Sequence, residues 1–510
     1  PLRLYPDVEV DPVTEARTTV HLTARRGGIG QVRLFLNGNE IHSDLRPHPG
    51  PSGTSPTSDT RTLPVDLTTH AAFIRPDTTN TLSVVAYNAE GSLKSRRISQ
   101  TFAADAVLGS TRGVRPSGVR APGSESRPEF YGLVVGTGDY SGTALDLRYA
   151  GTDAVDFARA LTVSARRLFG AERTHITTLS TAPSDTLAAE RPTRERVLAA
   201  LDTLAAQATA EDVLVIYFAG HGVVHGGQDG DFYYLTAEAT SGTLTDAAVR
   251  KQVALSSTRL TAEMTEIPAL KRLLILDTCA AGRVVEQLTA ERDIPGSQVR
   301  SLSRLKDRTG TYVLAGSAAD AVSYEATRFG QGLLTWSLLA GMRGEALKDD
   351  VEVDVSRLVN FAADRVPQLA RSIGGIQRPM LAMPRGGASF PIGHVRREDQ
   401  PKIPLATERP LFLGAQFQDE VQFADPLGLA PRVNERLRDV SYRGDRGKAP
   451  LIFVDATQYA EAYRVVGRYR TEGETVTVDV RVIRDGTPEA TFEVTGSTDA
   501  PETLAEALVE

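Results

Sequence analysis

This sequence has almost no cysteine: a single thiol, Cys279, in 510 residues. No disulfide can form within such a chain, which excludes the cross-linked secreted scaffolds and suits a reducing compartment, so a cytoplasmic location is the expectation. Basic charge is not in excess either. There are 57 Lys and Arg against 64 Asp and Glu, a net charge of −7, so the electrostatic footprint of a nucleic-acid or anionic-membrane binder is missing. No run of 18 apolar residues could span a bilayer. No nucleic-acid partner and no membrane partner are therefore expected. A signal-peptide pattern is absent, the chain begins at Pro1 rather than Met, and it stops inside the helical-looking PETLAEALVE. It reads as an excised piece of a longer protein. What is there, 41% hydrophobic and 24% charged residues, is the composition of a globular protein long enough for about three domains.

From residue 18 to about 102, within a first domain of residues 1–105, the chain carries a period of two. Val32, Leu34 and Leu36 alternate in QVRLFLNGNE, as do Leu82, Val84 and Ala86 in NTLSVVAYNAEG, the mark of half-buried antiparallel strands. Asn37-Gly38 and Glu90-Gly91 supply turn chemistry, and the Pro/Ser/Gly-rich stretch 43–62 predicts a loop. An immunoglobulin-like β-sandwich is expected. Residues 106–127 lack any hydrophobic period and predict a flexible linker. From 128 to 390 the rhythm becomes apolar strand, polar loop, amphipathic helix: FYGLVVGTG, the helix 152–170, HITTLS, the helix 193–208, DVLVIYFAGHG, KRLLILDTC, TYVLAGSA, and a helix in GLLTWSLLAGMRG. That alternation argues for a mostly parallel sheet with helices on both faces. Residues 400–510 read as a β-rich α+β module, with Val476, Val478, Val480 and Val482 alternating, Asp485-Gly486 marking a hairpin and a terminal helix.

Two strand ends carry the chemistry. DVLVIYFAGHGVVHGG predicts a buried strand ending at Gly220-His221-Gly222, which sets His221 where open α/β sheets collect their functional groups. A histidine there also serves as an ordinary hydrogen-bonded residue. KRLLILDTCAAGR predicts a second such strand, ending at Asp277-Thr278-Cys279 and followed by a helix start. A parallel neighbour brings both ends to one rim, where an imidazole and a helix amino end favour a thiolate nucleophile. A lone cysteine is otherwise a small buried apolar residue. Order and context together favour a His221–Cys279 dyad.

From about Arg127 to Pro384, roughly half of the chain, the residues RPEFYGLVVGTGDY, AGTDAVDFARAL, DVLVIYFAGHG, LLILDTCAAG, YVLAGSAADAVSYE and FGQGLLTWSLLAGM resemble the caspase-like cysteine peptidases, and within them the bacterial and protist metacaspase or orthocaspase branch. The resemblance implies an α/β caspase-like domain in which His221 acts as base and Cys279 attacks the scissile carbonyl. The backbone N–H groups of Gly222 and Cys279 would donate to the oxyanion, and Gly222 would let the substrate backbone approach. No third carboxylate is needed if a backbone carbonyl orients the ring. Caspases that cut after aspartate carry glutamine where this chain has Asp277; an acid there favours a basic P1 residue, Arg or Lys. Asp153 matches the position of a second acid in the metacaspase-like pattern. Their plainer roles are a strand-end side chain bonded to local backbone and a helix-start residue. Ala219 departs from the serine frequent at its place, and Ser317 is a candidate for lining the substrate pocket.

Three features are left over. His225 sits in a Gly-rich loop and reads as solvated. The resemblance offers Asp229 and Asp231 to a calcium site like those that activate some metacaspases, so calcium is a candidate activator; the 12-residue calcium loop is absent, and a polar turn explains the pair equally well. No metal ligand is assigned and no cofactor is required. Arg292, Arg300, Arg304 and Arg308 stand in what reads as a loop, a candidate for self-cleavage. The expectation is a cysteine endopeptidase acting on protein substrates after Arg or Lys in a bacterial stress, defence or signalling pathway, with a regulatory partner bound through the flanking domains. The alternatives are a catalytically silent caspase-like scaffold and a different cysteine hydrolase such as an amidase.

Overall fold

A computed structural model describes residues 4–46, 60–76, 78–109, 127–184, 189–225, 231–242, 244–280, 303, 305–316, 328–372, 377–384, 388–442, 450–459 and 461–509. The chain forms two compact units. One comprises Pro1–Ala318, Leu338–Asp364 and Arg378–Pro404, the other Ala319–Ser337, Arg365–Gln377 and Leu405–Glu510.

In the first unit the period-two segments form strands β1 (Asp7–Val10), β2 (Arg17–Thr23), β3 (Val32–Leu36), β4 (Asn39–His42), β5 (Thr60–Asp66), β6 (Asn80–Ala86) and β7 (Ile98–Phe102). They make two sheets, β1-β2-β5 and β4-β3-β6-β7, every pairing antiparallel. Inward residues of both, among them Val20, Leu22, Leu34, Leu36, Leu63, Leu82 and Val84, share one core, the arrangement of a sandwich. Asn37 and Gly38 take φ of 51° and 91°, the two left-handed residues of a tight hairpin turn between β3 and β4. Two expectations shift. The stretch 43–62 is not all loop, because β5 already begins at Thr60. The linker region opens with one turn of helix, α1 (Asp105–Leu108), whose Val107 is fully buried; residues 110–126 lie outside the described part.

The strand–helix alternation gives β8 (Phe130–Gly136), α2 (Ala150–Phe169), β9 (Thr174–Ser180), β10 (Ala189–Glu190), α3 (Arg194–Gln207), β11 (Val213–His225), β12 (Asp231–Leu235), α4 (Ala247–Val253), β13 (Ala254–Ser256), α5 (Ser257–Glu266), β14 (Lys271–Ala280) and β15 (Tyr312–Ala315). After the helix α6 (Leu333–Ala340) come β16 (Glu352–Asp354), helix α7 (Val355–Ser372), β17 (Met380–Ala382) and β18 (Pro391–His394). The main sheet runs β10-β9-β8-β11-β14-β15-β17. It is parallel except for β17, as the apolar strand runs require. On one face α2 packs against β8, β9 and β11, its Phe157 stacked on Tyr217 at 4.7 Å between ring centroids. On the other, Val197, Leu201 and Leu204 of α3 and Leu260 and Met264 of α5 pack with Leu133, Val135, Leu214 and Ile216. Each such buried side chain contributes about 1.5–3 kcal/mol.

Because β9 and β11 flank β8 on opposite sides, the winding reverses between β8 and β11. The crevice at the carboxyl ends of those two strands is where such sheets bind ligands. β11 does not end at Gly220, as its glycines suggested. Its pairing with β8 stops at Ala219, its pairing with β14 continues to Gly222, and from Gly222 to His225 it takes β12 as an antiparallel neighbour. Gly220, at φ 149°, stands at the change of neighbours, in a conformation that side chains other than glycine's rarely adopt.

The sandwich joins this sheet at the foot of β14. Arg272 is fully buried and donates to Asn39 Oδ1 of β4 (2.9 Å), while Asn39 Nδ2 donates to Thr265 O (2.9 Å). Glu40 accepts from Arg308 Nε (3.0 Å). Arg308 therefore belongs to a helical turn, residues 305–309, and is paired with the sandwich rather than offered in a loop for cleavage. Arg292, Arg300 and Arg304 lie outside the described residues.

In the second unit, β19 (Leu411–Asp419), β20 (Ile452–Val454), β21 (Tyr463–Glu472), β22 (Thr475–Arg484) and β23 (Thr487–Ser497) form a sheet ordered β20-β19-β21-β22-β23. Helices α8 (Leu429–Tyr442) and α9 (Pro501–Ala507) share a core with Val476, Val478 and Val480. Asp485 and Gly486 have φ of 48° and 83°, the hairpin turn that the sequence predicted.

Candidate active site

β11 and β14 are parallel, and their register makes His221 the direct partner of Cys279, Ala219 that of Asp277 and Gly222 that of Ala280. The two chemistry-bearing segments are thus adjacent at one height of the sheet, beside the β8–β11 crevice. β14 runs on through Ala280; the helix expected after Cys279 lies outside the described residues.

The His221 ring is fixed from the loop that follows β8. Its Nε2 donates to the backbone carbonyl of Leu145 (2.8 Å), which defines the tautomer and leaves Nδ1 as the lone-pair nitrogen. Nδ1 is buried and has no hydrogen-bond partner among the described residues. His221 is 8% exposed, and burial holds its pKa below the ordinary histidine value, with the Leu145 bond opposing in part. A neutral imidazole with a bare Nδ1 is a proton acceptor. Thr278 Oγ1, one residue before Cys279, is likewise buried without a partner among the described residues. The strand below is closed by hydroxyls. Tyr234 donates to Ala219 O (2.9 Å) and accepts from Thr137 Oγ1 (2.8 Å), and its burial pushes its pKa up.

Gly222 has a second reason to be glycine besides substrate access: a Cβ there would overlap the Phe232 ring of β12. Asp153 lies in the first turn of α2 and is 3% exposed. The N-cap position of that helix is Tyr149, whose side chain makes no cap hydrogen bond. Asp277, half-buried, lies two positions before Cys279 on β14. Ser317 lies outside the described residues. His225 belongs to β11 rather than to a loop, opposite Asp231 and edge-on to Tyr233 at 6.4 Å. Asp231 has work in the fold: it accepts from Ser257 Oγ and, at 3.4 Å, from Thr258 N at the start of α5. Asp229 lies outside the described residues, and among those described no cluster of three His, Cys, Asp or Glu could hold a metal ion. No described helix is long and apolar enough to cross a membrane.

The carbonyl of Leu145 and the side chain of Tyr140 were not singled out in the sequence. A carbonyl carries no residue signature; Tyr140 stands in GTGDYSG, directly after the first strand, where a search for polar groups beside the switch point would have found it.

The family model of the caspase domain matches residues 131–385. No curated protein matches the chain. Among solved structures, a Geobacter sulfurreducens protein is similar at 16% identity and a TM-score of 0.29 over 55% of this chain and 98% of that one. A Bacteroides fragilis protein described as a beta-galactosidase is similar at 13% identity and a TM-score of 0.15 over 61% of this chain and 38% of that one.

Proposed function

The chain belongs to the caspase family of cysteine peptidases, and on that premise we propose that it is an endopeptidase of the metacaspase type, using a His221–Cys279 dyad to cleave after Arg or Lys. The observation that carries the reading is the register pairing of His221 with Cys279, combined with a ring whose Nε2 is engaged by Leu145 and whose buried Nδ1 is bare among the described residues. In this mechanism Nδ1 takes the thiol proton, the thiolate attacks the scissile carbonyl, and the N–H groups of Gly222 and Cys279 receive the developing oxyanion. The imidazolium then protonates the leaving amine, and water releases the acyl group by the same proton route. The Leu145 carbonyl does the orienting that a third carboxylate does elsewhere. Asp277 and Asp153 supply negative charge for a guanidinium or ammonium at P1, and Ser317 lines the pocket. Calcium is a candidate activator rather than a resident cofactor. A cytoplasmic setting in a bacterial stress, defence or signalling pathway, with partners bound through the flanking domains, completes the reading.

The test is hydrolysis of fluorogenic peptides that differ only at P1 (Arg, Lys, Asp), with and without calcium, with Cys279→Ala as control. Cleavage after Arg or Lys that the mutation abolishes supports the reading. Cleavage after Asp overturns the role of Asp277, and silence on every peptide together with an unreactive Cys279 favours the scaffold.

A further inference from the structure

β11 has a gap in its ladder where the chemistry sits. Its neighbour β8 ends opposite Ala219 and its next neighbour on that side, β12, begins opposite Gly222, so among the described residues no strand faces His221 there. A buried backbone N–H needs a partner. Tyr140 supplies it: its hydroxyl oxygen accepts from His221 N at 2.9 Å, and its ring lies against the imidazole, 5.3 Å between centroids and tilted by 35°.

The tyrosine is itself held firmly. It is 5% exposed, packs with Leu145, Leu235, Ala239 and Leu244 in a small core of its own, and its backbone N donates to Asp146 Oδ1 (2.9 Å). The loop around it is tied to the rest of the sheet: Ser141 N and Gly142 N donate to the carbonyls of Ala237 and Ala239 (3.0 Å each), and Leu147 N to Gly138 O (2.8 Å). Gly220 makes room for the hydroxyl, since a Cβ at that position would lie 2.9 Å from Tyr140 Oη.

We propose that Tyr140 is the positioning residue of this site: its hydroxyl replaces the absent strand partner of His221 and its ring fixes the plane of the imidazole, so that Nε2 meets Leu145 and Nδ1 is presented to the thiol. One loop, residues 138–147, therefore sets both the place and the tautomer of the base. The inference rests on the reading of His221 as that base, but its first test does not depend on proteolysis.

In the full chain carrying Cys279→Ala, nitrogen-15 NMR of histidine-labelled protein, with His221 assigned through His221→Gln, reads the tautomer and titration of His221. The Nε2–H form dominates with Tyr140. With Tyr140→Phe the two tautomers mix and the titration moves up toward that of an ordinary histidine; Tyr140→Leu goes further. In the chain with Cys279 intact, Tyr140→Phe lowers kcat by roughly 10–100-fold and leaves KM within about two-fold, as expected for a misplaced catalytic group. A Tyr140→Phe chain with unchanged tautomer, titration and kcat overturns the proposal. If that variant does not fold, 3,5-difluorotyrosine at position 140 keeps the ring and weakens the hydroxyl oxygen as an acceptor, and an unchanged His221 spectrum in it overturns the proposal equally. An altered spectrum in a chain that cleaves no peptide upholds the positioning role and sinks the peptidase reading instead.

Discussion

At the foot of β14 the guanidinium of Arg272 is wholly buried, yet all three of its nitrogens donate: to Ala269 O, to Asn39 Oδ1, Met264 O and Thr309 O, and to Ile267 O. Near the other end of the same strand, His221 Nδ1 and Thr278 Oγ1 are as deeply enclosed and have no partner among the described residues. Burial costs each group its water, and at the foot the fold replaces it with protein acceptors. On the proposed reading the open imidazole nitrogen is the one that takes the thiol proton, whereas the satisfied arginine joins the sandwich to the sheet. Burial still pulls the Arg272 pKa down to about 9, because its partners are neutral oxygens rather than a carboxylate.

That contrast can be broken at either end. At the upper end Cys279→Ala should lower peptide hydrolysis by at least about 10⁴-fold with little change in the melting temperature, since the group removed is required by chemistry rather than packing. Comparable losses in activity and stability would erase the distinction. At the foot, Arg272→Ala takes the donor away from several buried carbonyl oxygens at once, each left unsatisfied at about 1–3 kcal/mol, and should destabilise the chain by more than any single loss there, measured by denaturant unfolding. Asn39→Ala removes one acceptor and one donor from the same joint and should cost about 1–3 kcal/mol, with the altered hydrogen-exchange protection spread over both the sandwich and the α5–β14 region; protection lost from the sandwich alone would show that the joint couples nothing.

The smallest effect comes from a histidine pair in the sandwich. His42 and His70 meet edge to face at 5.2 Å. Burial, and then the neighbouring His42, lowers the His70 pKa to about 4, and burial lowers that of His42. A depressed histidine pKa means that the unfolded chain takes up the proton more readily. Their stability is therefore present in full above the unfolded value of about 6.5 and drains away as pH falls through about 4. Melting temperatures followed from pH 7 to 4 should show that decline, and His70→Phe should flatten it.

Much of this was legible from the sequence, for reasons that differ by region. The parallel sheet follows from uninterrupted apolar runs such as LVIYF and LLIL, which only a strand covered on both faces can bury. The Asn37-Gly38 and Asp485-Gly486 turns follow from residues that tolerate positive φ. The adjacency of His221 and Cys279 was inferred from two strand ends and appears as a register pair. The continuation of β11 to His225 was not legible, because glycine signals a backbone exception without saying whether the strand stops or merely changes neighbour. Nor was the joint at Arg272: a lone arginine at the start of an apolar strand reads as a solvated edge until Asn39, far away in sequence, is brought to it. Asp231 was read by its charge, and its engagement at the start of α5 depends on where a hairpin returns.

Whether His221 and Cys279 act on each other is directly measurable, because Cys279 is the only cysteine in the chain. The rate of Cys279 alkylation by iodoacetamide should be followed across pH in the wild-type chain and in His221→Ala. A working dyad gives a thiol that ionises well below the ordinary value of about 8.5 in the wild type and returns toward it in the mutant. The same pH dependence in both chains, with a midpoint near the ordinary value, would contradict it.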